Sequence, residues 1–425
     1  MIAATINQRF PPPQFTETGH QMPQMTAPPP RAGALDYLDI AVLFLCLALA
    51  TWLVLRRRSR REVVMLGIFS LLYFGFWRNG CVCAIGSIQN ITQALFDPSY
   101  TLPLTVLVFG VLPLVFALFF GRVFCAAVCP HGAFQDVMLL KPVQLPVWLE
   151  HGLRLLAYLY LGLAVVFAAT GGGYIICRYD PFVQIFRLTG SLTMILTGVI
   201  FLLMSTFVGR PYCRFLCPYG VLLGLAGSVS RWRARITPDK CTQCRRCQDA
   251  CPFNAINKVT PKSLQIDPTP EDKRRLAMRC ALLPLVIVAG LWLGGLSGDS
   301  LAKAHPTVAL AERIHLEDAG AVTGATEESL GFRAEGTPPE KLFAEAHALV
   351  TRYVLAGRLC GVWVGLVVGL KLIALAWRPR RLEYETDAVR CVACARCFDY
   401  CPQEHKRRHA LQAAAAPVQA TGEPG

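Results

Sequence analysis

The sequence predicts an all-α polytopic membrane protein with about seven transmembrane helices. Of its 425 residues, 54% are hydrophobic and only 16% are charged, and the mean hydropathy is +0.42. Soluble proteins carry roughly 25% charged residues. The apolar residues also occur in blocks, several of which are long enough to cross a bilayer as helices of ~17–25 residues. Together these properties exclude a disordered chain and an ordinary soluble enzyme.

Seven apolar blocks have the length that a membrane span requires. They are predicted to be helical because an open strand would leave its backbone polar groups unpaired in lipid. Several blocks contain proline, for example Pro113, which transmembrane helices tolerate better than soluble ones do. The predicted spans are residues 37–55, 62–78, 103–120, 152–170, 191–208, 280–297 and 350–377.

The distribution of lysine and arginine predicts the orientation. The segments on the side of residues 56–61 contain 29 of these residues, and the segments on the other side contain 9. Basic residues accumulate in the cytoplasm, so we expect an inner membrane protein with its N-terminus outside and its C-terminus inside. The net charge of +14 then reflects topology first, and no nucleic-acid partner is predicted.

The composition divides the chain into six regions. The start of the chain is rich in proline and lacks an apolar run, which is typical of disorder, and no cleavable signal peptide is predicted because the first apolar block begins late. The predicted regions are a disordered arm (1–36), a transmembrane region (37–230), a first cysteine-rich segment (231–279), a transmembrane hairpin (280–377) with an outer loop at 298–349 that forms a small helical cap, a second cysteine-rich segment (378–410) and a loose tail (411–425).

The two cysteine-rich segments share one spacing. CTQCRRCQDACP at 241–252 and CVACARCFDYCP at 391–402 both follow C-x₂-C-x₂-C-x₃-C-P, the run that ligates a 4Fe–4S cluster. Zinc is a minor alternative, because zinc sites usually separate two ligand pairs by a longer loop. The predicted ligands of two 4Fe–4S clusters are Cys241, Cys244, Cys247, Cys251, Cys391, Cys394, Cys397 and Cys401.

The fourth cysteine of each motif is predicted to serve the other cluster, as in two-cluster ferredoxins. Two predicted spans separate the motifs, so both return to the cytoplasmic side and can form one small ferredoxin-like module. The predicted quartets are Cys241, Cys244, Cys247 with Cys401, and Cys391, Cys394, Cys397 with Cys251.

A second cysteine pattern is an internal repeat. GRVFCAAVCPHGAFQ (121–135) matches GRPYCRFLCPYGVLL (209–223) in register at Gly, Arg, Cys, Cys, Pro and Gly. The four thiols of these C-x-x-x-C-P loops predict a further cluster or metal; the alternatives are a dithiol pair, a metal-trafficking site or simple packing, since free cysteine is often buried. Arg122 and Arg210 are candidates to stabilise a thiolate or an anionic cluster. The four cysteines are Cys125, Cys129, Cys213 and Cys217.

Three further cysteines are predicted on the outer side. They suit a cluster with one non-cysteine ligand, a copper ion, or a disulfide that includes Cys177. Cys46, Cys280 and Cys360 lie in or near spans and are predicted to be packing residues. The outer cysteines are Cys81, Cys83 and Cys177.

The remaining polar candidates are histidines and in-span cations. The histidines are expected to be polar surface residues. Arg154 and Arg352 are expected to extend towards the membrane surface, whereas Arg358 and Lys371 have the alternative of lining a quinone pocket. No C-x-x-C-H is present, which excludes covalent c-type haem. The histidines considered are His131, His305, His315, His347 and His405.

At these motifs the chain resembles the membrane polyferredoxins of the NosR/NapH type. The resemblance covers residues ~60–405 and rests on GRVFCAAVCP, GRPYCRFLCP and the two ferredoxin motifs, with GCVCAIGSIQN and CRYDPF as outer-loop signatures. It implies electron transfer between the quinone pool or a cytoplasmic donor and a periplasmic redox partner. A flavin is not expected, because a proline-rich arm stands where some relatives carry a flavin-binding domain.

Three functions compete at this stage. The first is an iron–sulfur electron conduit, for example a quinol dehydrogenase subunit. The second is a redox factor for the assembly of a copper or other metalloenzyme, which would use the same clusters. The third is a membrane sensor with a labile cluster.

Overall fold

The structure, a computed structural model, describes residues 33–80, 83–236, 241–260, 270–376, 381 and 383–415. Most of the predicted arm, Cys81 and residues 416–425 of the predicted tail lie outside these described residues. The described part is mainly α-helical with one two-stranded sheet, as the composition predicts.

Several helices confirm a membrane protein. Four are long and apolar enough to cross a bilayer: α1 (Gly33–Trp52), which continues as a π-helix to Arg57, α7 (Val147–Ala169), α14 (Pro270–Ala302) and α17 (Pro339–Ala376). They coincide with the predicted spans at 37–55, 152–170, 280–297 and 350–377, although α14 and α17 extend well beyond the apolar blocks.

The other three predicted spans are helical, but none of them is by itself a helix that is both long and apolar enough to cross a bilayer. α2 (Arg60–Ser70) continues as a π-helix to Trp77, and its charged first turn lowers its hydropathy. α4 (Leu104–Phe120) has only 17 residues. α10 (Leu192–Ser205) forms a span only together with α9 (Pro181–Arg187), from which it is bent by 106°. The structure thus gives four spans, or five with the bent pair, by length and composition, and a total of seven stays a prediction.

The repeated loops form two matching pairs of short helices. In each pair, the second cysteine of C-x-x-x-C-P is the N-cap of a helix whose first residue is the proline. Proline suits this position because it lacks the N–H that would be unpaired there. The pairs are α5 (Val123–Ala127) with α6 (Pro130–Val137), and α11 (Pro211–Phe215) with α12 (Pro218–Ser228).

Two groups of short helices complete the region opposite the ferredoxin-type motifs. α3 and α8 carry or flank the outer cysteines. The segment 298–349 is largely helical, and α15 within it packs against α17; its role as a cap on the outer side stays a prediction. These elements are α3 (Ala84–Phe96), α8 (Ile175–Tyr179), α15 (Pro306–Asp318) and α16 (Glu327–Ala334).

The two ferredoxin-type motifs fold together although 140 residues separate them in sequence. Each contributes one helical turn, and the strand after the first motif pairs antiparallel with the strand before the second, with Ile256 opposite Thr386. The elements are α13 (Arg246–Asp249), β1 (Ile256–Asn257), β2 (Glu385–Thr386), α18 (Arg396–Asp399) and α19 (Pro402–Ala415).

A buried carboxylate fastens this module to the helices. Glu404 of α19 is fully buried and accepts from Arg58 at 2.9 Å and from Arg407 at 2.6 Å. Burial opposes ionisation, but hydrogen bonds from Arg407 and the charge of Arg58 outweigh it and lower the pKa of Glu404. The second motif is thereby fixed to the connection between α1 and α2.

The hairpin of α14 and α17 is built on backbone contact. A Cβ added at Gly361 would collide with the carbonyl oxygen of Gly290, and one at Gly357 with that of Gly294. Small residues let membrane helices approach this closely, and close packing is a main source of helix association in lipid. These glycine contacts therefore hold α14 against α17. None of the residues in the most apolar 18-residue stretch of α14 is buried.

Substitution of Gly361 by alanine is expected to destabilise this hairpin. The added methyl group overlaps backbone, which cannot move aside, and overpacking of this kind costs about 1–3 kcal/mol. The matched control is Gly152→Ala in α7, where an added Cβ meets nothing within 4 Å. We expect the melting temperature of the detergent-solubilised protein to fall for G361A only; an equal effect of both variants would contradict the close packing.

Candidate metal centres

The backbone has the same conformation in both ferredoxin-type loops. The residues on either side of the second cysteine have positive φ in each loop: Gln243 (53°) and Arg245 (64°) in the first, Ala393 (54°) and Ala395 (62°) in the second. Such a conformation is unfavourable for residues other than glycine and persists only where the surrounding structure imposes it. Turns of this kind also form concave sites for anionic groups, including iron–sulfur clusters.

The first motif surrounds a small cavity together with one cysteine of the second. The cavity contains about 320 Å³ of empty space, and Ile236 and Tyr384 form part of its wall. Three thiols come from the first loop and one from the end of α18. The cysteines that line it are Cys241, Cys244, Cys247 and Cys401.

A second cavity is lined by the second motif together with one cysteine of the first. It contains about 400 Å³ of empty space, and Phe253 and Phe398 form part of its wall. Three thiols come from the second loop and one from the first. The cysteines that line it are Cys251, Cys391, Cys394 and Cys397. The structure therefore brings the eight cysteines together in the two crossed sets that the sequence predicts.

Burial and nearby hydrogen bonds act in opposite directions on these thiols. Burial raises the pKa of Cys247 to about 11 and that of Cys391 to about 12, so each thiol stays protonated at neutral pH unless a positive group stabilises its thiolate. Backbone N–H groups, such as that of Ala393 towards Cys391, act in the opposite direction. Arg60 also donates to the carbonyl oxygen of Cys394 at 3.1 Å. The set of donors fits iron–sulfur ligation.

The repeated C-x-x-x-C-P loops create a third cavity. It contains about 570 Å³ of empty space and is lined by thiols from both repeats. One arginine of each repeat also reaches the other repeat: Arg122 lies near Gly220 of the second repeat, and Arg210 lies near Gly132 of the first. The cysteines that line this cavity are Cys125, Cys129, Cys213 and Cys217.

The third cavity lies between the second cavity and the outer cysteines. Arg390 and Val392, which flank Cys391, form part of its wall, as does Phe253 of the second cavity. Ile85, two residues beyond Cys83, contributes to the same wall. The thiol sites thus follow one another through the protein.

The outer cysteines meet at the start of α3. The Sγ of Cys83 accepts from the N–H of Gly86 at 3.3 Å. A Cβ on Gly86 would lie 3.7 Å from this Sγ and 3.1 Å from the Sγ of Cys177. Cys83 and Cys177 are therefore neighbours, and both are free thiols. Cys81 lies outside the described residues.

His131 is not a surface residue, and that prediction was wrong. It is 2% exposed, and its Nε2 lies 3.2 Å from a carboxylate oxygen of Asp180, which also accepts from the hydroxyl of Tyr212 at 3.1 Å. Asp180 is fully buried and was missed by the sequence analysis. The signal was available: His131 and Tyr219 follow the two CP pairs at equivalent positions, and both are buried.

The remaining histidines divide into two groups. His305 is also buried, and its Nδ1 accepts from the N–H of Thr307 at the start of α15, so the expectation of a solvated side chain was wrong there. His315, His347 and His405 are exposed as predicted.

Two of the in-span cations, Lys371 and Arg154, have polar partners. Lys371 donates to the carbonyl oxygen of His151, and Arg358 packs against Gly295. Arg154 does not extend to the surface: it lies 2.7 Å from Glu150 and lines the third cavity. Arg352 is exposed.

The three cysteines that were assigned to packing have no thiol neighbour in the cavities above. Cys46 is buried in α1, Cys360 packs in α17 beside Gly162, and Cys280 is exposed on α14. Within the described ranges, no three or more Cys, His, Asp or Glu are placed to hold a single metal ion. Each quartet instead lines a cavity.

Family models agree with these sites. A model described as "4Fe-4S binding domain" matches residues 102–145 and 191–237, which contain the two C-x-x-x-C-P loops. A second model with the same description matches residues 234–257, which contain the first ferredoxin-type motif. Iron–sulfur binding is thus supported independently of the cavities.

Curated relatives point to the same kind of protein. The chain is 30% identical over 229 residues to "Ferredoxin-type protein NapH" of Escherichia coli, a match that covers 47% of this chain and 75% of the relative. It is 29% identical to "Putative electron transport protein YccM" of the same organism, over 33% of this chain and 43% of the relative.

A longer relative matches over a smaller share of its length. "Regulatory protein NosR" of Stutzerimonas stutzeri is 23% identical, over 45% of this chain and 28% of the relative. No solved structure matches the chain. With its apolar helices, its thiol quartets and these relatives, the chain belongs to the membrane-bound iron–sulfur electron-transfer proteins of the NosR/NapH type.

Proposed function

We propose that the protein passes electrons between a quinol or cytoplasmic donor and a periplasmic reductase system through two 4Fe–4S clusters. The observation that carries the proposal is the crossed arrangement of the eight cysteines, with three thiols of one motif and the fourth of the other around each cavity. The names of relatives such as the electron transport protein YccM support it.

When bound, the clusters supply one-electron transfer at a potential that the protein sets by hydrogen bonds, charge and exposure. The chain provides hydrogen bonds and charge at these sites. Backbone N–H groups point to the thiols of Cys247 and Cys391. Arg60 and Arg214 donate to the carbonyl oxygens of Cys394 and Pro252, and positive charge near a cluster favours its reduced form.

A groove beside the second cavity suits a quinol. Aromatic rings form its walls, with Phe120 and Trp232 stacked at 5.8 Å, and Arg58 lies 4.9 Å from the ring of Phe398. Phe398 directly follows Cys397, so a ring bound in the groove would lie next to that quartet. The arginines that line the groove can donate to quinol oxygens; they are Arg56, Arg58, Arg231, Arg233 and Arg235.

The opposite end of the path is placed at Cys83 and Cys177. Cys177 is exposed, so a periplasmic partner can approach it. The threefold excess of Lys and Arg in the segments on the side of the ferredoxin-type motifs supports the orientation, with those motifs in the cytoplasm and the N-terminus outside. The alternative function, reduction of copper or thiols during assembly of a metalloenzyme, would act at this same pair.

Anaerobically purified protein is expected to contain at least about eight iron atoms per chain, four for each crossed quartet. Cys244→Ala should remove about four of them and should abolish one of the EPR signals that appear on reduction with dithionite. The matched control is Cys360→Ala, which changes a packing cysteine and should leave the iron content unchanged. Full iron in C244A, or iron-free wild-type protein, would contradict the proposal.

A further inference from the structure

We propose that Cys83 and Cys177 form a redox-active pair on the outer side, which cycles between two thiols and a disulfide and passes electrons in twos to a disulfide of a periplasmic protein. This inference rests on the proposed electron-transfer function, because the iron–sulfur clusters supply the electrons. It assigns a chemical reaction to the outer end of the path.

The first argument is the closeness of the two sulfur atoms. A Cβ placed on Gly86 would lie 3.7 Å from the Sγ of Cys83 and 3.1 Å from the Sγ of Cys177, so both sulfur atoms lie close to the same point. A disulfide bond is about 2.05 Å long, and a short movement of the two side chains brings the sulfur atoms to that distance. Both residues are free thiols, which is the reduced state of the pair.

Hydrogen bonds hold the two cysteines side by side. The N–H of Ile176, which precedes Cys177, donates to the Oε1 of Gln89 in α3 at 2.9 Å, and Gln89 is fully buried. The hydroxyl of Tyr174, at the start of α8, also donates to a side chain of α3. Cys83 is itself the N-cap of α3. The chain around Cys177 is therefore fixed to the helix that Cys83 begins, although the two residues are distant in sequence.

The pair is asymmetric, which gives the two thiols different roles. Cys177 is exposed, so a disulfide of a partner can reach its sulfur. Cys83 is only partly exposed, and its Sγ accepts from the N–H of Gly86 in the first turn of α3. This bond favours the thiolate, but burial outweighs it and raises the pKa of Cys83 to about 12. Exposure therefore makes Cys177 the thiol that meets the partner, and Cys83 the thiol that closes the disulfide.

The reaction balances in two stages. First, two electrons and two protons convert the disulfide into the two thiols, and two reduced clusters are each oxidised by one electron. Next, the sulfur of Cys177 loses its proton and attacks the disulfide of the partner, and one partner sulfur leaves as a thiol. The sulfur of Cys83 then loses its proton and attacks that of Cys177, whose bond to the partner breaks. The second partner sulfur leaves as a thiol, and the disulfide of the chain is restored.

The two crossed quartets match this chemistry in number. A 4Fe–4S cluster carries one electron at a time, whereas a disulfide is a two-electron couple. Two reduced clusters therefore hold the electrons that one disulfide requires. The position also fits, because Ile85, two residues beyond Cys83, belongs to the wall of the third cavity, so the pair lies at the outer end of the series of thiol sites.

The other interpretations of these cysteines fit less well. A cluster or a metal ion with three or more ligands needs further donors. In the ranges that the structure describes, no Cys, His, Asp or Glu completes such a group with Cys83 and Cys177. Simple packing does not explain an exposed thiol such as that of Cys177. A disulfide needs no third residue, and an oxidising exterior permits one.

The first experiment traps the exchange, with oxidised glutathione as the model disulfide. Full-length protein purified without oxygen is treated with it, quenched with acid, alkylated and analysed by peptide mass spectrometry. We expect a link between Cys83 and Cys177 in the wild-type protein. Cys83→Ser should instead keep glutathione on Cys177, because no second thiol releases it, and Cys177→Ser should form neither product. Cys360→Ser changes a packing cysteine, is the matched control and should retain the link.

The second experiment tests the source of the electrons. Protein that carries the link is reduced with dithionite, and both the EPR signals and the link are followed over time. We expect the link to be lost after the signals of the reduced clusters appear. Cys244→Ala, which should lack one cluster, is expected to lose the link more slowly. Equal rates in the variant and the wild-type protein would overturn the clusters as the source of electrons for the pair.

The outcomes separate the two proposals. Absence of the Cys83–Cys177 link in the wild-type protein, or a link from Cys177 to a different cysteine, would overturn the inference. Either result leaves the proposed function intact, because iron content and EPR signals test that function. A link in wild-type protein that contains no iron would contradict the proposed function, and with it the electron source of the pair. The link is read in the wild-type protein, so the decision does not depend on the folding of a variant.

Discussion

Replacing Cys244 and Cys401 together is expected to remove one cluster, whereas replacing Cys244 and Cys251 together should remove two. The reason is the crossed arrangement: Cys244 and Cys401 line the same cavity, but Cys251 lines the other. A model in which each motif binds its own cluster predicts the opposite result, because Cys244 and Cys251 would then share a site. The two double variants remove the same number of thiols, so each is the control of the other.

The measurement is iron content and EPR of protein purified without oxygen. We expect C244S/C401S to lose about four iron atoms and C244S/C251S about eight, relative to the wild-type protein. The reversed pattern would refute the crossed ligand sets, and equal losses would show that the two quartets do not act independently. Because only differences from the wild-type protein are compared, iron bound elsewhere in the chain does not affect the result.

Asp136→Asn is expected to be strongly destabilising. Asp136 lies 2.5 Å from Arg60 and 3.2 Å from Arg210, and all three side chains are largely buried. Removing the carboxylate charge leaves two buried cations without their partner, and breaking a buried pair in this way costs about 3–5 kcal/mol. Arg60 also holds the carbonyl oxygen of Cys394, so the effect should reach the second cluster loop.

The control for this variant is Asp318→Asn, which makes the same change in an exposed pair. Asp318 lies 2.7 Å from Arg333, and both side chains are close to half exposed. Exposed pairs are screened by water and contribute little. The melting temperature of the purified protein should therefore fall by several degrees for D136N and stay unchanged for D318N. Similar melting temperatures for D136N and the wild-type protein would show that Arg60 and Arg210 do not depend on Asp136.

Much of the site follows from local sequence. The spacing of Cys241, Cys244 and Cys247 fixes one turn of chain that can wrap a cluster, and the same turn recurs at Cys391. Pro130, Pro218 and Pro402, which follow the last cysteine of their motifs, each begin a helix, a position that suits proline in any fold. Even the crossed sets were predictable, because two long apolar blocks between the motifs return the chain to the same side.

Other features depend on contacts between distant segments. The buried His131 pairs with Asp180, which is 49 residues away in sequence. Arg122 and Arg210 line the third cavity because each reaches from its own repeat to the other. The prediction of a plain span at 191–208 also missed the sharp bend between α9 and α10. Hydropathy measures the apolar content of a segment, and it carries no information on its direction.

The sequence alone determined that the chain enters a membrane and that eight cysteines are spaced for iron–sulfur ligation, since both properties belong to short stretches of residues. Only the tertiary structure decided that the four C-x-x-x-C-P thiols share one cavity and that buried arginines surround it. The physical reason is that the walls of a shared cavity, and the electrostatic field inside it, come from segments in different parts of the chain. These segments become neighbours only when the helices pack.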